Sequence, residues 1–324
     1  MTRDLKTRLL APLLLIAVHG EFLPAAGLFP AADSGEIRIA VYNVENYLTM
    51  PRRIGGKLLA QAGKPESERD AVARSVAEMN PDVIGLMEIG TETEFGDLRK
   101  RLRKEGLDYA GAEYLNGADP SRHVALLSRF PVVERHSMGD IPLKVGGLTL
   151  HSPRGFLDVT VEPSPGYRVR LICVHLKAKP ESADYDATAL REAEACSLGT
   201  YARKILSRDP STRLVVMGDF NDTSNSRVLR EISGATGCPE GLRMLPLTDD
   251  RGECWTEFWK EAGVYSRIDY MMVSKKLEPE IDPSRSAVAR FPYWRLASDH
   301  CPLLLTLKNP RPATPAGTPT QSRP

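Results

Sequence analysis

Six segments of this 324-residue chain place an amide, a carboxylate or an imidazole where a short apolar run begins or ends. Ile37–Tyr42 runs into Asn43-Val44-Glu45-Asn46, and Val83–Met87 ends on Glu88. Val169–Val174 is followed by His175-Leu176-Lys177, and Leu214–Met217 opens into Gly218-Asp219-Phe220-Asn221-Asp222. Asp269 stands inside the run Ile268–Val273, and Ser298-Asp299-His300 precede Leu303–Leu307. Carboxylate and amide oxygens are hard donors that suit a hard divalent cation, and an imidazole beside them can move a proton or hydrogen-bond an anion. Taken singly, each has a structural explanation. Asp and Asn after a strand form turns and helix caps, Glu88 can be a solvated strand end, and a lone His can serve packing. Asp269 is different, because an acid within an apolar run is costly unless it has a partner.

The elements that must position these residues are short and β-rich. Val124–Leu127 and Phe156–Val161 add to the six runs above, and all eight read as strands. Two longer stretches carry apolar residues at helical spacing: Arg69–Met79 (Val72, Val76, Met79) and Ala187–Ser207 (Leu190, Ala193, Leu198, Ala202, Ile205). Asn80-Pro81 stops the first of them. There is no repeat at periods of about 20–50 residues, and no linker divides 36–308. One large domain at 36–308 is expected, with packed sheets and helices outside them.

Neither end reads as part of that domain. Arg3, Lys6 and Arg8 precede the apolar run Leu9–Val18, and small residues follow, which is the plan of a secretory signal over residues 1–33. The run is shorter than the ~20 residues a membrane span needs. Export to the periplasm or the medium is the expectation. Residues 309–324 hold five prolines and no large apolar side chain, the composition of a disordered tail.

Composition and charge exclude more than they assign. With 42% hydrophobic and 26% charged residues the chain is of globular type. The net charge is +1, and residues 36–308 carry 38 basic against 39 acidic side chains. A strongly basic nucleic-acid footprint is therefore absent, and an anionic substrate must be held locally. Arg99-Lys100-Arg101 and Arg103-Lys104 form a basic run that reads either as such a local surface or as a solvated helix face. Five cysteines leave at least one unpaired, and no CxxC spacing points to zinc. Cys238 and Cys254 share a polar region and are the candidate disulfide. Cys173 and Cys301 read as buried small hydrophobes.

Taken in chain order, the segments resemble the endonuclease/exonuclease/phosphatase superfamily. The resemblance rests on Tyr42-Asn43-Val44-Glu45-Asn46, Asp82–Glu88, Ala125–Arg129, Arg154-Gly155, Val174–Lys177, Gly218-Asp219-Phe220-Asn221, Arg267–Tyr270 and Ser298-Asp299-His300-Cys301-Pro302-Leu303. It covers residues 37–307, with Met87 standing where many members carry Gln. It implies an α+β, four-layer α/β/β/α sandwich of the deoxyribonuclease I type, with a site at one rim and a metal-dependent phosphoester hydrolysis there. By resemblance Glu88 is the principal metal ligand, with Asn43 beside it and Asp299 contributing. Oxygen-only ligands suit Mg²⁺, or Mn²⁺ as a substitute. His300 resembles the general base and Asp269 its orienting carboxylate, which supplies the partner Asp269 needs. Asp219 and Asn221 match positions that align water and scissile phosphate. His175 resembles a phosphate-binding donor, and Arg154 is placed with the substrate.

The substrate is less determined. A phosphodiesterase or nuclease cleaving DNA or RNA, acting as a monomer without a membrane span, is the first expectation. A sphingomyelinase- or inositol-phosphatase-like enzyme is the alternative, and the first of these would expose an apolar loop for membrane docking. Trp255–Trp259 and Phe291–Trp294 are the candidate loops, although packing over the rim is the plainer role for them. A scaffold that binds phosphate without turnover is the alternative of another class.

Overall fold

The computed structural model describes residues 35–179, 183–235 and 237–308. The expected leader at 1–33 and the tail at 309–324 lie outside the described residues. Two six-stranded sheets form the body. The first runs Ala287–Val288, Leu303–Leu307, Ile37–Tyr47, Val83–Ile89, His123–Ser128, Gly111–Leu115. The second runs Leu242–Met244, Asp269–Ser274, Leu214–Asp219, Tyr167–His175, Phe156–Ser164, Val132–Arg135. Each has one parallel pair at its centre, Ile37–Tyr47 with Val83–Ile89 and Tyr167–His175 with Leu214–Asp219. All other pairings within these sheets are antiparallel. The C-terminal tips of the parallel strands therefore share one rim with the N-terminal starts of Asp269–Ser274 and Leu303–Leu307.

Strand alternation sorts the side chains between three apolar layers. Ile39, Val41, Val83, Val169, Leu171, Val215, Met217, Met271, Val273 and Leu303 meet between the sheets. On the outer face of the first sheet, Ala40, Tyr42, Ile84 and Leu86 pack under helices α1 (Glu66–Met79) and α2 (Glu92–Lys104). On the outer face of the second, Ile172, Val174, Leu214 and Val216 pack under α3 (Ala187–Arg208) and α4 (Arg227–Ser233). The expected four-layer sandwich is thus the observed one. Its helix ends are as the residues suggest: Asn80 takes the left-handed conformation, φ 49°, that closes α1 before Pro81.

Continuing the same alternation by two residues carries polar side chains onto the rim of the inter-sheet layer. Asn43 follows Ile39 and Val41, His175 follows Leu171 and Cys173, Asp219 follows Val215 and Met217, and Asp269 precedes Met271 and Val273. One glycine is required by the close approach of strands here. Gly218 has φ 151°, and a Cβ on it would lie 1.9 Å from the Val174 carbonyl oxygen.

Two expectations change. Helix α2 was hidden by its polar composition, although Thr91 and Glu94 form the capping box that announces it. Its basic run is mostly the solvated helix face, with Lys100, Arg103 and Lys104 exposed, while Arg101 is structural: it is buried and meets Asp97 at 2.9 Å, Glu66 at 3.0 Å and Asp70. The helix starts near the rim and spans about 20 Å. Its far end leads to Tyr109, whose hydroxyl donates to the Pro81 carbonyl at the foot of the Val83–Ile89 strand. That end carries the basic run away from the rim. Cys238 and Cys254 are both free thiols, so the candidate disulfide is not formed. Trp255, Phe258, Tyr265 and Trp294 pack on one another with ring centroids 4.5–6.2 Å apart, the packing role expected of those loops. Trp259 is left exposed, and Tyr265 keeps one side of its ring exposed.

Candidate active site

The first sheet contributes Asn43 and Glu88 through two irregular strand ends. The pairing of Ile37–Tyr47 with Val83–Ile89 shifts register between Asn43 and Tyr47. Glu45, Asn46 and Glu88 all adopt positive φ, at 46°, 50° and 63°. Regular alternation would turn Glu88 with Leu86 toward α1 and α2; the bulge changes the parity, and Ile89 takes that outer layer instead. Glu88 is thereby aimed into the rim. Its Oε2 accepts from the Asn46 backbone N–H at 2.7 Å, and its Oε1 lies 3.4 Å from Asn43 Nδ2. A glutamate in left-handed backbone is strained, and strain of this kind gathers at functional sites.

The second sheet contributes a row. Its register sets His175 beside Asp219 and Asp219 beside Asp269. Asp219 Oδ2 sits at the centre, 3.0 Å from Asn43 Nδ2, which donates to it, and 3.6 Å from His175 Nε2. The Asn43–Asp219 bond crosses from one sheet to the other. Asn221, also in left-handed backbone at φ 53°, donates its Nδ2 to the Leu176 carbonyl, which leaves its Oδ1 as an acceptor.

His300 and Asp269 form a buried pair, with Nδ1 to Oδ2 at 2.7 Å. Asp269 is itself held by its backbone N–H, which donates to the Thr256 hydroxyl at 3.0 Å. His300 is held by its N–H to Ser298 Oγ, and that hydroxyl donates across to the Asn43 carbonyl at 2.8 Å. His300 Nε2 is left facing the rim, 3.9 Å from Asp219 Oδ2 and 3.8 Å from Asp299 Oδ1. Asp219, Asp269 and His300 place ligand atoms within 4.8 Å of one another. The 2.7 Å bond commits Asp269 and one imidazole nitrogen to each other, so this trio reads as an acid–base pair with a neighbour rather than as a metal cage.

The electrostatics follow from crowding carboxylates at a half-buried rim. Burial, then the Asp269 charge, pushes Asp219 up to about 8. Burial raises Asp299, aided by Glu88 and Glu257 and opposed by His300. Burial, then Asp299, raises Glu45. Burial alone would lower His300, but the Asp269 charge and hydrogen bond, with Asp299 and Asp219, hold it well above its ordinary value. Burial, then the Arg154 and His300 charges, holds His175 far below its ordinary value, so it is a neutral imidazole.

All nine residues singled out in the sequence lie at this rim. Arg154 stands beside His175, but is largely buried and tied by Nη2 to Asp119 at 3.0 Å. Several supporting residues were not singled out. Arg122 lies 3.8 Å from Glu88 and donates to Asn46 Oδ1 at 2.9 Å. Glu45 accepts from the Asp299 N–H at 3.1 Å and meets buried Lys64 at 3.5 Å. The signal for Glu45 and Asn46 was present, since both belong to the Asn43–Asn46 motif. Arg122, Lys64 and Thr256 had none, because only the fold brings them here.

The chain matches the Endonuclease/Exonuclease/phosphatase family over residues 40–300. A search of curated proteins found no match. Among solved structures, the catalytic domain of human Nocturnin is similar at 18% identity, covering 84% of this chain and 94% of that one, with a TM-score of 0.55. A truncated Caenorhabditis elegans TDP2 gives 18%, 85%, 98% and 0.56. A 3'-5' exonuclease (NExo) of Neisseria meningitidis gives 18%, 84%, 100% and 0.57. At such identities these likenesses speak to the fold. With two mixed sheets, flanking helices and a family match over most of its length, the chain belongs to the endonuclease/exonuclease/phosphatase family and carries its phosphoesterase fold.

Proposed function

We propose that the chain hydrolyses phosphodiesters with the help of a divalent cation, with His300 taking the proton of the attacking water. The observation that carries this reading is the buried 2.7 Å pair of His300 and Asp269, with Nε2 turned toward the Asp219 and Asp299 carboxylates. These residues fit a hard cation. Glu88, Asp299 and Glu45 crowd oxygen donors at one rim: the charges of Glu88 and Glu257 add to burial in raising Asp299, and that of Asp299 adds to burial in raising Glu45. A bound cation would relieve that repulsion. Glu88 and the side-chain amide oxygen of Asn43 would hold it, with Asp299 contributing. When bound, Mg²⁺ or Mn²⁺ supplies charge neutralisation for the phosphate and the leaving oxygen.

The chain's own groups do the rest. Asp269 fixes the Nδ1–H tautomer of His300, which frees Nε2 to accept a proton as the water oxygen bonds to phosphorus and the bond to the leaving oxygen breaks. Of the carboxylates that raise His300, Asp299 is one a bound cation would neutralise, which would bring the imidazole down toward the range of a base at neutral pH. Asn221 Oδ1 is an acceptor and aligns the water's second hydrogen. Neutral His175 offers one N–H to a non-bridging oxygen, beside the positive charge of Arg154.

Nucleic acid is the first substrate of this reading, supported by the neighbour named a 3'-5' exonuclease. A lipid or small-molecule phosphodiester is the second, favoured by the apolar side chains around the rim. The leader pattern at 1–33 places the enzyme outside the cytoplasm in the same reading. The test is a panel of plasmid and linear DNA, RNA, sphingomyelin, phosphoinositides and nucleotides, with Mg²⁺ and with EDTA. His300→Ala and Glu88→Ala should each lower turnover at least about 10²-fold. Wild-type rates in either variant, or turnover indifferent to EDTA, would overturn the reading in favour of a scaffold or a different mechanism.

A further inference from the structure

Nine large hydrophobic side chains are exposed among the described residues, and seven of them border the site. Ile54, Leu58 and Leu59 stand on the hairpin Met50–Ile54/Lys57–Ala62, and Trp259, Val264 and Tyr265 on the hairpin Glu257–Trp259/Val264–Ser266. Leu296 lies in the short helix α5 (Trp294–Ala297), immediately before Ser298-Asp299-His300. Leu58 is 67% and Trp259 56% exposed. Both hairpins are tied to the rim. Arg52 donates to the Asn46 carbonyl and, at 3.3 Å, to that of Leu48, while the Phe258 N–H donates to the Asp299 carbonyl at 2.9 Å. Apolar surface concentrated in this way marks an interaction site.

The first hairpin shows what kind. It carries Arg52, Arg53 and Lys57, and no acid occurs between Met50 and Lys64. Its register pairs Ile54 with Lys57, Arg53 with Leu58 and Arg52 with Leu59, so three successive cross-strand pairs each join a cation to an aliphatic side chain. Successive pairs face opposite sides of a ribbon. Both faces therefore present the same mixture. A flat partner such as a protein surface covers only one face, and aliphatic side chains are poor platforms for stacking bases, which favours aromatics. A medium that is apolar within and anionic at its surface satisfies both faces at once. Exposed Trp259 and Tyr265, with Lys260 and Arg295 beside them, are the side chains that settle at such an interface.

We propose that the two hairpins dock the catalytic rim onto an anionic phospholipid surface, with Ile54, Leu58, Leu59 and Trp259 entering the acyl boundary and Arg53 and Lys57 among the headgroups. This goes beyond the hydrolase reading: it states where the site works and holds whichever phosphodiester is cleaved.

The test is co-sedimentation of the full chain, in EDTA, with phosphatidylcholine vesicles made with and without phosphatidylserine. Binding should require phosphatidylserine and weaken as salt is raised. The double variant Leu58→Glu, Leu59→Glu should partition at least about ten-fold more weakly. Both residues are exposed and away from the catalytic groups, so turnover of bis-p-nitrophenyl phosphate with Mg²⁺ should stay within about two-fold, which also shows the variant folded. The proposal is overturned if the wild type ignores phosphatidylserine vesicles or if the double variant binds them equally well. It is also overturned if the double variant loses affinity for a DNA oligonucleotide and not for vesicles. Vesicle binding without diester turnover would support docking while refuting the hydrolase reading.

Discussion

Replacing Asp269 by Asn separates orientation from fold. Asp269 and His300 are 3% and 5% exposed, so their 2.7 Å hydrogen bond is little screened by water. A hydrogen bond to a charged group contributes about 1.5–3 kcal/mol, which at about 1.4 kcal/mol per decade is roughly a 10- to 150-fold effect on rate. Asn adds a second loss. Its amide N–H₂ can donate to Nδ1, which moves the imidazole proton to Nε2 and blocks the nitrogen that must accept. The combined expectation is a fall in kcat of about 10²–10⁴, with KM for the diester nearly unchanged. The fold should tolerate the change: the side chains are isosteric, the backbone bond from Asp269 to Thr256 does not involve the carboxylate, and repulsion with Asp219 disappears. The assay is steady-state hydrolysis of bis-p-nitrophenyl phosphate with Mg²⁺, alongside a urea denaturation curve. A folded Asp269→Asn enzyme with kcat within about three-fold of wild type would refute the assignment of the pair.

Three further predictions concern the scaffold. Asp97 accepts from the Tyr47 hydroxyl at 2.6 Å, Arg101 at 2.9 Å and Arg69 at 3.0 Å; burial acts to raise it, and these partners outweigh that and lower it. A depressed carboxylate stabilises fully above its unfolded pKa and loses that contribution as pH falls through the folded one. The difference in urea midpoint between wild type and Asp97→Asn should therefore be constant near neutrality and shrink below about pH 4. Gly218→Ala must move the Val174 carbonyl or leave its own conformation, and a loss of more than about 2 kcal/mol is expected from denaturation; an unchanged midpoint would show that this strand end gives way freely. Titration with a thiol reagent should find Cys196, Cys238 and Cys254 reactive in the native protein, with Cys173 and Cys301 reacting only on unfolding. Protection of Cys238 and Cys254 that reducing agent removes would mean that they are paired after all.

Period-two alternation in the sequence determined much of this molecule. It built the two sheets, separated the inter-sheet layer from the outer layers, and carried Asn43, His175, Asp219 and Asp269 onto a common face, because a strand that is apolar on one side continues that side for as long as it stays regular. The requirement that a buried acid have a partner singled out Asp269, and the family resemblance named His300 as that partner before any distance was known. Glu88 shows the limit of this logic. Counted along a regular strand it belongs to the outer layer, and only the bulge between two neighbouring strands, with left-handed backbone at Glu45, Asn46 and Glu88, turns it into the rim. The basic run of α2 shows the same limit, since its composition left a ligand surface and a solvated helix face both open, and only packing against Glu66, Asp70 and Asp97 made Arg101 structural. The contacts that complete the site join residues far apart in the chain, Asn43 with Asp219 and Ser298 with Asn43. Local periodicity records which face a side chain takes. The distance across which two sheets pack, and what each polar group meets there, exists only in the folded chain.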